Sequence, residues 1–122
     1  MVMVESVSVY EHIDARGDFY VVAEPLKLQH EQYPTPPQDL NLSVVFYVDN
    51  YRNGDWLVRV RQSKTVLQES ELSNLIRGGT KVQNDVIHLK VLHNVSFPTP
   101  GLYEFEIVLD GEVISTTPLQ LL

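Results

Sequence analysis

Hydrophobic and polar residues alternate with a period of two through most of this chain. Leu40, Leu42, Val44, Phe46 and Val48 interleave with Asn41, Ser43, Val45, Tyr47 and Asp49. The same alternation sets Trp56, Val58 and Val60 against Leu57, Arg59 and Arg61, and Ile87, Leu89 and Val91 against His88, Lys90 and Leu92. It returns with Tyr103, Phe105, Ile107 and Leu109 against Leu102, Glu104, Glu106 and Val108. Successive side chains of a strand point to opposite faces, so each run predicts a strand with one buried face. The expected core is Leu42, Val44, Phe46, Trp56, Val58, Val60, Ile87, Leu89, Val91, Tyr103, Phe105 and Ile107. Arg59, Arg61, Lys90, Glu104 and Glu106 are expected to face solvent.

Weaker strand signals fill the remainder: residues 2–10, a return strand at 19–24 after the turn-rich stretch 14–18, a short strand at 64–69, and a closing strand at 113–121. About eight strands, with turn signals roughly every 8–12 residues, predict a sandwich or barrel. Asp110-Gly111 supplies the positive φ angles of a tight hairpin turn, so the strands on either side should pair antiparallel. Asn53-Gly54 is expected to do the same between the strands at 40–49 and 56–61. Pro34, Pro36 and Pro37 cannot donate ladder hydrogen bonds. They mark 33–39 as a crossing from one sheet to the other, and Pro98 and Pro100 mark a second. One short helix is expected near 70–77: Leu72, Leu75 and Ile76 have helical spacing, Ser70 can cap the start, and Gly78 can end it in the left-handed conformation.

Length and charge narrow the function. At 122 residues the chain is expected to form one domain, 1–122. It contains no cysteine, which removes disulfides, thiolate metal sites and cysteine nucleophiles. A formal net charge of -7 repels phosphate, so nucleic acid and anionic membrane are not expected partners. No apolar run approaches the ~20 residues that span a bilayer. The first residues lack a basic leader, so a cytoplasmic location is expected.

Candidate chemistry is sparse. Of the four histidines, His88 and His93 should point to opposite faces of one strand, while His12, Asp14 and His30-Glu31 could share a region near the first turn. No spacing defines a metal set, and no cofactor is expected. Glu104 and Glu106 share a strand face at a separation that could suit acid–base work on a sugar, but a solvated strand face on an acidic protein explains them far better. Arg77-Gly78-Gly79-Thr80-Lys81 offers backbone amides and two cations to an anion without the spacing of a phosphate loop. Arg59 and Arg61, with Arg52 and Lys64 nearby, form a local basic face, suited to cross-strand pairing with carboxylates or to an acidic protein partner. Arg16-Gly17-Asp18 fits a hairpin turn, and no glycine-flanked serine elbow supports a hydrolase triad. The speculative binding residues are therefore Arg59, Arg61, Arg77 and Lys81, and no catalytic residue is expected.

The run Phe97-Pro98-Thr99-Pro100-Gly101-Leu102-Tyr103-Glu104-Phe105-Glu106-Ile107, followed by Asp110-Gly111 and Pro118-Leu119, resembles the penultimate strand of immunoglobulin-like sandwiches. With the 14–17 turn, the Pro34–Pro37 crossing and the strand at 42–47, the layout resembles a family of bacterial immunoglobulin-like β-sandwich proteins that carries no assigned activity. The resemblance implies an all-β sandwich of seven to nine mostly antiparallel strands, without the antibody cysteine pair. Tyr103 is expected to form a tyrosine corner with a carbonyl in 95–99. The expected role is a non-catalytic protein-interaction or assembly module, with self-association through the edge of 2–9 as one form. The alternative is a small-ligand or carbohydrate-binding sandwich using Tyr20, Tyr33, Tyr47 and Tyr51.

Overall fold

Alternation builds eleven strands in the computed structural model, which describes residues 1–13, 19–21, 27–28, 31–51 and 53–122, with side-chain detail at 1–9, 31–51 and 53–122. They are β1 (Val2–Ile13), β2 (Phe19–Val21), β3 (Lys27–Leu28), β4 (Gln38–Val48), β5 (Asp55–Gln62), β6 (Thr65–Glu69), β7 (Ser73–Asn74), β8 (Thr80–Val82), β9 (Asp85–Val95), β10 (Gly101–Leu109) and β11 (Glu112–Leu121). One sheet runs β2-β1-β4-β9-β8. The other runs β3-β11-β10-β5-β6, with β7 also paired to β5. All pairings are antiparallel except β3 with β11. Among the described residues there is no helix.

The inner faces of the two sheets bury one core. Leu42, Val44 and Phe46 of β4 meet Trp56, Val58 and Val60 of β5 and Tyr103, Phe105 and Ile107 of β10, all fully buried as the alternation requires. The Phe46 and Trp56 rings pack edge to face at 5.0 Å between centroids. Val9, Leu40, Val48, Leu75, Val86, Leu92, Val95, Phe97, Leu109, Leu119 and Leu121 complete the core.

The turns divide into hits and one correction. Leu109 pairs with Glu112 across Asp110 and Gly111, whose φ values of 49° and 83° are those of a tight hairpin turn. The Pro34–Pro37 segment carries the chain from β3 in one sheet to β4 in the other, and the Pro98–Pro100 segment carries it back from β9 to β10. Thr35 seals the two crossings together: its N–H donates to the Phe97 carbonyl and its hydroxyl accepts from the Phe97 N–H, both at 2.9 Å. Asn53-Gly54 is not a hairpin turn. β4 and β5 lie in different sheets, so this link crosses between them. A Cβ on Gly54 would displace the Tyr51 hydroxyl and the Asp110 carboxylate, which bond each other beside it.

Two further expectations fail for physical reasons. Residues 70–77 are not helical. Ser70 exchanges two hydrogen bonds with the backbone of Val58, and Ser73 and Asn74 pair with Trp56 and Asp55. Edge pairing on β5 thus outcompetes an isolated two-turn helix. Leu75 is buried and Leu72 exposed, as a crossing strand-and-turn segment dictates. Gly78 does not adopt a positive φ.

The second failure is the phase of β9. Ile87, Leu89 and Val91 were expected inside, but Val86, His88 and Leu92 are buried, while Leu89 and Val91 are 46% and 37% exposed. Both faces of this strand are rich in apolar residues, so alternation does not fix which one turns inward. Register does: Val86 pairs with Phe46 and His88 with Val44, both inward positions of β4.

Candidate functional site

The sequence-predicted cations do not form one site. Arg59 and Arg61 lie on the outer face of the six-stranded sheet, where Glu106 and Glu69 meet them. Arg59 Nη1 stands 3.4 Å from Glu106 Oε1, and Arg59 Nε stands 3.8 Å from Glu69. Arg61 Nε stands 3.1 Å from the same Glu106 oxygen, yet its N–H is not aimed at it, so that pair is an electrostatic contact and not a hydrogen bond. Two guanidiniums cover Glu106 and leave it only 8% exposed, which corrects its expected place among solvated side chains. This is the cross-strand pairing that the basic face allowed. It leaves Arg59 and Arg61 occupied. Arg52, Arg16, Gly17, Asp18 and Asp14, and the side chains of His12, Tyr20 and His30, lie outside the described residues.

Arg77 and Lys81 are exposed on the other sheet's side. Gly78 and Gly79 between them serve packing: a Cβ on Gly78 would strike the Asn74 carbonyl, and one on Gly79 would strike Val86 and His88. The glycines therefore let the chain pass close over His88. His93 faces outward, with Nδ1 3.4 Å from the Asp39 carboxylate. Among the described residues no three His, Asp or Glu side chains cluster as a metal site.

A cavity lies elsewhere among the described residues. A groove of about 340 Å³ opens along one side of the sandwich, between the end of β6 with the following link and the second half of β9. Gln68, Glu69, Ser70, Glu71 and Ser73 line one wall, and residues 89–93 line the other. Lys90 stands at its base. Its ammonium bonds the Ser73 hydroxyl and lies 5.0 Å from the centroid of the Trp56 ring. Burial lowers the Lys90 pKa from its usual value, and the Glu71 carboxylate opposes that shift. Behind it, His88 fills the core between Phe46 and Trp56, at centroid distances of 5.7 and 4.9 Å, and its Nε2 bonds the Leu75 carbonyl at 2.7 Å. Burial lowers the His88 pKa. The Leu75 carbonyl opposes this and the Lys90 charge adds to it.

None of these groove residues stood out as a site in the sequence. Their one legible signal was that β9 carries apolar residues on both faces.

The outer face of the five-stranded sheet is the second surface of note. Met3, Tyr47, Asp85 and Val82 are successive partners across β1, β4, β9 and β8, and Leu89 and Val91 continue the same face along β9. Met3 is 50% exposed and Val82 55%. Four large apolar side chains on one sheet face therefore meet solvent.

An all-β sandwich with an open side groove and an apolar outer face is the class that these features define. Within it, the chain belongs to a family of unknown function, DUF6941, which residues 11–122 match. No curated protein matches the chain. Among solved structures it is similar to Pseudomonas fluorescens alkylpurine DNA glycosylase AlkC bound to DNA containing an abasic site analogue, with a TM-score of 0.54 and 10% identity over 98% of this chain and 30% of that one. It is also similar to a beta-glucosidase from Listeria innocua in complex with isofagomine, with a TM-score of 0.52 and 9% identity over 99% of this chain and 16% of that one. The chain thus spans under a third of either protein, and at such identity the likeness is one of fold alone.

Proposed function

We propose that this domain is a non-catalytic interaction module with an immunoglobulin-like sandwich. The strand orders β1-β4-β9-β8 and β11-β10-β5-β6 support the immunoglobulin-like reading, since they match the four-stranded and extended three-stranded sheets of that fold. The tyrosine corner at Tyr103 supports it too. The interaction reading rests on one observation: the outer face of the five-stranded sheet leaves Met3, Val82, Leu89 and Val91 in solvent on a shared surface. The Glu5–Asp85 pair divides this face, and the exposed apolar residues on either side of it offer surface for another molecule to cover.

The carbohydrate reading keeps only Tyr47 among the described side chains, half-buried on the same outer face. Tyr33 and Tyr51 are half-buried against the core and spend their hydroxyls on the Leu122 carbonyl and the Asp110 carboxylate. The test compares wild type with Leu89→Lys/Val91→Lys as baits in native lysate. A discrete partner held by the first and lost by the second, with both folded by circular dichroism, is the expected result. Equal recovery would contradict the reading.

A further inference from the structure

The edge of β9 is covered by β8 along only part of its length. Val48 N–H donates to the Asn84 carbonyl at 2.8 Å, which fixes the phase of the ladder between β4 and β9. Even-numbered residues of β9 turn their backbone groups toward β4, and odd-numbered ones turn them outward. β8 takes the outward groups only as far as Ile87, the partner of Thr80. Beyond it, the outward N–H and C=O of Leu89 and of Val91 have no backbone partner among the described residues. The next outward carbonyl, that of His93, is already bonded from across the groove by the Gln68 side-chain amide. Asn94, at φ 55°, then ends the straight segment.

The open edge is a ready template for another strand. It differs from the edge of β1, where a bulge falls between Val4 and Ser6 and breaks the template at Glu5.

Resting on the interaction reading above, we infer that the groove beside β9 accepts an extended peptide segment with alternating apolar and basic residues, added as a strand along 89–93. Side chains of an added strand alternate between the two faces. One set joins Leu89 and Val91 on the apolar outer face and should be apolar. The other set turns toward the groove interior, where Glu69 and Glu71 line one wall and the Lys90 ammonium, held by the Ser73 hydroxyl, stands at the base. Glu69 is shared with Arg59 at 3.8 Å, and Glu71 acts on Lys90. With a chain charge of -7, a basic segment is complementary and an acidic one repelled. The same charge weighs against a second copy of this chain as the occupant.

The probe is a fluorescent nine-residue peptide alternating valine and lysine, capped at both ends. Its controls are the same peptide N-methylated at every second residue, in both phases, and a valine–glutamate peptide. On the protein side, Val91→Pro removes an outward N–H that β4 does not use, a substitution that edge strands tolerate. The wild type is expected to bind the valine–lysine peptide, with amide shift changes centred on Leu89 and Val91. Val91→Pro and at least one N-methyl control should each weaken binding by about tenfold or more, corresponding to ~1.4 kcal/mol. Absence of binding, undiminished binding of both N-methyl peptides, or a concentration-dependent dimer through this edge would overturn the inference. The N-methyl arm decides the matter even if Val91→Pro does not fold. If Val91→Pro retains the lysate partner that Leu89→Lys/Val91→Lys loses, strand addition fails while the interaction reading stands. If the wild-type bait holds no discrete partner, both fail.

Discussion

The Tyr103 hydroxyl donates to the carbonyl of Thr99, four residues upstream, at 2.7 Å. The Thr99 N–H stands 3.4 Å from the same oxygen. The ring is wholly buried and packs edge to face on Phe97 at 5.0 Å. This corner ties the Pro98–Pro100 crossing to the start of β10, where the chain changes sheets. Tyr103→Phe keeps the ring and orphans the Thr99 carbonyl. It should cost about 1–3 kcal/mol in urea melts. A loss near zero would mean that the hydroxyl is not a structural tie.

Gly111 is a turn position with room but the wrong backbone for other residues. Its φ is 83°, and an added Cβ would meet nothing within 4 Å. Any destabilisation on substitution therefore reports backbone conformation and not a clash. Gly111→Ala should cost about 1 kcal/mol or more, and Gly111→Val more than Gly111→Ala, because β-branching resists positive φ. Equal melting temperatures for all three proteins would contradict the tight-turn geometry.

His88 should make stability depend on pH below neutrality. Its folded pKa is held below the ordinary value of 6.5, mainly by burial. The unfolded chain then binds the proton more readily, so stability falls as pH drops through 6.5 and levels off beneath the folded pKa. Above 6.5 the group contributes no slope. His88→Gln retains an amide that can reach the Leu75 carbonyl and removes the titration. Denaturant melts at pH 7.5 and pH 5 should show a larger loss for wild type than for His88→Gln. The same loss in both would place the pH dependence elsewhere, and not at Glu5: burial and the neighbouring Asp85 raise its pKa, so it gains stability as pH falls.

The sequence was legible where one face of a strand is apolar and the other polar. Trp56, Val58 and Val60 against Arg59 and Arg61 leave no doubt about phase, and these three are fully buried. β9 offered valine, leucine and isoleucine on both faces, so only its pairing with β4 decides that His88 goes inward and Leu89 outward. The 70–77 segment has helical spacing, but its serines and asparagine find backbone partners on β5, a long-range fact that no local pattern contains. The groove was illegible for the same reason. Glu71 and Lys90 are far apart in sequence and meet only after the two sheets close. The predicted cations went the other way: Arg59 and Arg61 were correctly placed on an outer face, and Glu106, directly opposite Arg59 in the ladder, occupies them both.

On the interaction reading, a partner covers the outer face of the five-stranded sheet in the working state of the protein. Site-specific photocrosslinking in host cells tests it directly, with the reactive group at Val91 or, as the control, at Val113. Val113 is comparably exposed, at 42% against 37%, but lies in the other sheet. A discrete adduct from position 91 and none of that mass from position 113 is the predicted result. The same adducts from both positions, or none from 91, would contradict the account.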